Sequence, residues 1–184
     1  TWRVPPGLTG ARYAVLHSTN RSVTIRAEID LITSEGLGVP TAFERDVCLD
    51  GQAMVVTETI EYLGPRELPA DRCRLAPWSL AQFTGGPGCV ARFPDAGVGT
   101  LRDLYDPSDA CRCKAGSCWQ TATDGSARYQ IGLSPAVSWV EMRNPVDGLR
   151  VRRTSEPLPE GQRFIDITDL PPREELAGAP VRFS

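Results

Sequence analysis

The sequence predicts a mostly β protein: an antiparallel β-sandwich with a disulfide-stapled, loop-rich insertion and at most one or two short helices. Three observations carry that expectation. Apolar and polar residues alternate in several runs, the period of half-buried strands. Glycine (17) and proline (16) are frequent enough to demand many turns, and so many short elements. Six cysteines fall between Cys48 and Cys118, five of them within 64–127, where the alternation breaks up. At 184 residues the chain suits one domain, 1–184, with 64–127 as the irregular insertion.

The elements follow in order. "SVTIRAEIDLI" (22–32) puts Val23, Ile25, Ala27, Ile29 and Leu31 on one face and Thr24, Arg26, Glu28 and Asp30 on the other. "RYAVLH" (12–17) reads as its hairpin partner. "GQAMVVTETIEYL" (51–63) alternates with Met54, Val56, Ile60 and Tyr62 in phase. "RYQIGL" (128–133), "AVSWVEM" (136–142), "GLRVRR" (148–153) and "RFIDI" (163–167) are further strands, and "VRF" near the end is one more. "NPVDG" (144–148) and "LPEGQ" (158–162) are turn chemistry between them. "GVGTLRDLYD" (97–106) and "PPREELAG" (171–178) are the candidates for short helices.

The cysteines decide the compartment. In "DACRCKAGSCWQ" (109–120), Cys111, Cys113 and Cys118 are spaced C-x-C and C-x₄-C. Zinc sites usually use paired C-x₂₋₄-C units. Here Cys48, Cys73 and Cys89 stand alone, and the only histidine, His17, is distant. No C-x-x-C redox pair occurs. An even count then reads as disulfides among Cys48, Cys73, Cys89, Cys111, Cys113 and Cys118, and as an oxidising compartment. If 111–113 is extended, Cys111 and Cys113 share a face and reach separate partners. Asn20-Arg21-Ser22 is an N-glycosylation acceptor in a predicted turn and agrees with that location. Thr1 reads as the start of a mature or truncated chain, so the lack of a signal peptide says nothing about the cytosol.

Composition narrows the function. Net charge is −3, without the basic balance of a nucleic-acid binder. No apolar run approaches the ~18–20 residues of a membrane helix. Lys114 is the only lysine; every other basic side chain except His17 is arginine, which makes bidentate and stacked contacts. No G-x-S-x-G elbow, phosphate-binding loop or dinucleotide fingerprint occurs. Asp103, Asp106 and Asp109 lack the calcium-loop register, and Asp166 and Asp169 read as strand and turn acids. No cofactor or metal is expected. "RVRR" (Arg150, Arg152, Arg153) matches the sites cut by furin-like convertases, before an expected open loop.

The expected function is binding another protein, outside the cell or on a cell or virion surface. A viral or microbial protein that engages a host receptor or immune ligand fits best. The expected contact residues are Trp78, Phe83, Arg92, Arg112, Lys114 and Trp119, an aromatic and arginine set of the kind enriched at interface hot spots. Two alternatives stand beside it. An exported hydrolase would bring two carboxylates or His17 into one cleft. A structural subdomain of a larger envelope or adhesion protein would expose an apolar patch that another domain covers.

Overall fold

The computed structural model describes residues 5–33, 36–68, 75, 79–158, 160, 164 and 181–183. The protein is mostly β: among the described residues 49% are strand and 5% helix, and every sheet is antiparallel. The chain divides into two compact units, Thr1–Ser79 and Leu80–Ser184.

The first unit is a four-stranded meander. A short helix, α1 (Pro6–Thr9), packs on β2 and precedes β1 (Ala14–Ser18), β2 (Ser22–Ile32), β3 (Gly38–Asp50) and β4 (Ala53–Tyr62), which pair in that order. The alternation in β2 is realised. Ile25 stands opposite Arg45, and Ala27 opposite Phe43; Phe43 in turn faces Ile60. The apolar face therefore carries Val23, Ile25, Ala27, Ile29, Phe43, Val47, Val56 and Ile60. The longest strand, β3, was not among the expected elements. Pro40, Asp46 and Asp50 obscure its pattern, yet pairing on both sides fixes it as the second inner strand.

The second unit has a five-stranded sheet in the order β11-β10-β5-β8-β7 and a two-stranded one, β6-β9. These strands are β5 (Val90–Pro94), β6 (Leu101–Asp103), β7 (Arg112–Ala115), β8 (Cys118–Ala122), β9 (Ile131–Leu133), β10 (Trp139–Asn144) and β11 (Leu149–Thr154). Residues 64–127, expected to be irregular, thus carry β5 to β8. Each of those strands has five residues or fewer, too few to show a period. The core is built from Phe93, Ile131, Leu133 and Val137, with Leu101, Trp119, Tyr129, Val140 and Phe183 packed around it. Phe93, Trp119 and Val140 come from one face of the large sheet, Leu101, Ile131 and Leu133 from the small one. Phe183 joins through an isolated bridge to Leu133, so "VRF" makes a single bridge to β9 and not the further strand expected.

Two expectations change here. Residues 97–106 form a turn and β6 instead of a helix, because Gly97 and Gly99 take φ of 89° and 77°, outside the helical region. Cys111 ends a 3-10 turn (Asp109–Cys111), so the extended run begins at Arg112 and the premise that Cys111 and Cys113 share an extended face does not hold. The expected helix at 171–178 and most of the expected strand at 163–167 lie outside the described residues.

Candidate functional site

The pairing registers sort the large sheet into two faces. Arg152 stands opposite Glu141, and Glu141 opposite Arg92; Arg92 faces Gln120, which faces Cys113. Two residue pairs along, Arg150 faces Arg143, and Arg143 faces Val90. Directly paired residues share a face and alternate residues along a strand do too. One face, the outer one, therefore collects Arg92, Arg143, Arg150, Arg152, Glu141 and Trp139. The inner face carries the core residues Phe93, Trp119 and Val140.

A local turn sets this register. The Asn144 side-chain carbonyl accepts from the backbone N–H of Val146 (2.9 Å) and Asp147 (3.3 Å), while its amide donates to Asp147 Oδ2 (2.9 Å). Gly148 closes the turn with φ of 65°. An asparagine bonding its own turn, followed by glycine in the left-handed region, reverses the chain. Glu141 then lies across from Arg152, and Arg143 from Arg150.

At the centre of the outer face is Glu141, whose side chain is 2% exposed. It accepts from Arg143 Nε at 2.6 Å and Arg152 Nε at 3.2 Å. Burial pushes its carboxyl up. The Arg143 hydrogen bond, with the positive field of Arg143, Arg152 and Arg150, outweighs that and holds its pKa below the ordinary value. The Arg152 guanidinium also lies 4.2 Å from the centre of the Trp139 ring, a cation–π distance.

The expected contact residues in the described strands do not share one face of the sheet. Arg92 is on the outer face. Arg112, Lys114 and Trp119 alternate onto the inner side, in register with Thr121, Trp119 and Lys114 respectively. Arg112 is 14% exposed and is committed to Asp103 Oδ1 (3.0 Å), Ser108 Oγ (2.5 Å) and Asp109. Lys114 donates to Asp95 Oδ2 at 2.6 Å and lies 5.1 Å from the Trp119 ring centre. Trp119 Nε1 donates to Asp95 Oδ1 at 3.2 Å. The Lys114 hydrogen bond is the main reason the Asp95 carboxyl falls to about 2, helped by the Gly97 N–H, Trp119 and Thr100. These residues clasp the β7–β8 hairpin. Phe83 sits half-buried in the segment before β5, and Trp78 lies outside the described residues.

The other marked residues are also located. Cys48, Cys89, Cys111, Cys113 and Cys118 are free thiols, and Cys73 lies outside the described residues. Cys113 and Cys118 share the outer face but sit diagonally, since Ala115 is the residue opposite Cys118. Asn20 is exposed in the turn between β1 and β2. Arg150, Arg152 and Arg153 lie in β11, paired to β10 as far as Thr154. Cleavage after Arg153 would require the end of that ladder to open. Asp103 and Asp109 are bound to Arg112, and among the described residues no group of three or more His, Cys, Asp or Glu could hold a metal. Asp166 and Asp169 lie outside the described residues. No protein-family model, curated protein or solved structure matches the chain.

Proposed function

We propose that the chain is a secreted or surface-displayed protein-binding module, of the kind a virus or microbe presents to a host receptor or immune ligand. The observation that carries this reading is the outer face of the five-stranded sheet. Four arginines and a tryptophan share it, the residue types most enriched at interface hot spots. This shifts the contact surface from the cysteine-rich hairpin to the β10–β11 hairpin on the far side of β5, with Arg92 of β5 common to both. In this reading the thiols pair in an oxidising compartment. Cys113 and Cys118, as diagonal neighbours ~7–8 Å apart, exceed ordinary disulfide reach, so each pairs elsewhere. Asn20 at its hairpin tip is open to a glycan.

The test is binding to an array of cell-surface ectodomains, with Arg150→Glu/Arg152→Glu beside the unaltered chain. A partner that binds the unaltered chain and not the double variant supports the reading. A partner indifferent to both reversals overturns it. Intact mass under non-reducing conditions tests the compartment, because six free thiols after secretion would overturn it.

One observation favours a second reading, a subdomain of a larger envelope or adhesion protein. Toward the β3–β4 turn the apolar face of the first unit is open, Met54 being 67% exposed and Val56 45%, and on β1 of the same face Val15 is 63% exposed. An apolar sheet end of this kind marks a surface that another domain covers.

A further inference from the structure

We infer that the occupant of the outer face is an extended polypeptide segment with acidic side chains at alternate positions; this rests on the binding reading above and names its partner chemistry. The face is positive: the register puts four arginines and one carboxylate on it. Arg143 and Arg152 each spend only Nε on Glu141. Among the described residues their terminal Nη pairs, the fork that binds a carboxylate bidentately, have no hydrogen-bond or ion-pair partner. The side chains of Arg92 and Arg150 have no hydrogen-bond or ion-pair partner among the described residues, and the Arg92 Nε is buried. Glu141 thus acts as an internal counter-ion that holds two guanidiniums upright without consuming them. The Arg152 guanidinium also lies over the Trp139 ring.

The spacing selects the ligand. Arg150 and Arg152 are two residues apart on one strand, about 6.8 Å, and acids at i and i+2 of an extended peptide repeat at the same interval. Arg143, opposite Arg150, supplies a second column at strand-pair distance. A helix would present acids at another period, and acids packed consecutively would point half of their carboxylates away.

The experiment is fluorescence anisotropy on the full chain with three labelled probes. They are an alternating Glu-Thr peptide about ten residues long, a peptide of the same composition with its glutamates contiguous, and a heparin-derived oligosaccharide. The alternating peptide is expected to bind about tenfold more tightly than the contiguous one. Arg150→Gln/Arg152→Gln should lose at least about tenfold, and Arg150→Lys/Arg152→Lys should recover only part, because lysine keeps the charge without the fork. Arg92→Gln, outside the hairpin, is a second variant that should also weaken binding, and thermal melting checks that each variant is folded. Equal binding of both peptides, or binding of the oligosaccharide alone, would overturn the inference. A partner from the array that needs Arg150 and Arg152 but is not displaced by the alternating peptide would sink this inference while the binding reading survives.

Discussion

Asp95, Arg112 and Glu141 show how single side chains here are claimed by structure before any partner meets them. Arg112 satisfies Ser108, whose hydroxyl is fully buried and itself donates to Asp103 Oδ1 at 2.5 Å. Arg112→Ala keeps the Ser108–Asp103 bond but leaves the Asp103 carboxylate without its counter-ion and Ser108 Oγ without its donor, and should cost about 2 kcal/mol in chemical denaturation. Replacement by Lys would recover part of the loss, because an ammonium reaches fewer acceptors. Asp95 carries a pH prediction with a definite sign. Its folded-state pKa, about 2, lies below the unfolded value, so its contribution is fully present above about pH 4 and disappears as pH falls toward 2. In acid titrations followed by fluorescence, Asp95→Asn should be less stable at neutral pH and lose less between those limits. A parallel acid profile for variant and unaltered chain would show that the clasp adds nothing. The sequence marked Arg112, Lys114 and Trp119 because of what they are; it could not show that Asp95, Asp103 and Ser108 already occupy them.

Elements are decided by pairing as much as by their own residues. The β2 pattern was legible because eleven residues give several alternations, one face of them apolar. The strands β5, β7 and β8 were not, since each is short and interrupted by arginine, cysteine or proline; partners on one or both sides make them strands. The β10–β11 hairpin sits between these cases. Its turn and both strands were visible, and counting outward from Asn144 would have aligned Glu141 with Arg152. What could not be read was that the face so formed is the open one, which the packing of Phe93 and Val140 on the other side decides. Phe93→Ala should cost about 3–5 kcal/mol in denaturant titrations, as the best-buried aromatic of that inner face. Gly132 in β9 is equally constrained: an added methyl would lie 3.0 Å from Leu104 and 3.2 Å from Val181. Gly132→Ala should lower stability by about 1–3 kcal/mol, measured by thermal melting. Asn144→Ala should loosen the hairpin and speed amide exchange in β11 before it affects β8.

For the whole molecule, the two units differ in how they are covered. The second closes a core between its two sheets. In the first, Ala27, Val39 and Thr41 are buried at one end of the sheet, while Val15, Leu49, Met54 and Val56 are exposed at the other. If that end is a docking surface for the rest of a larger protein, the chain should bind a hydrophobic dye there. Met54→Thr/Val56→Thr should then cut the dye signal and leave stability within about 0.5 kcal/mol. A large loss of stability instead would show that the patch is already structural within the chain. The sequence by itself determined the β class, the alternating face of β2 and the chemistry of the turns, because these depend on residue period and local backbone preference. Only the tertiary structure decided which arginines are spent on Asp103 or Glu141 and which keep free forks. Strand pairing joins residues distant in sequence, and a side chain's availability depends on the partner that pairing brings to it.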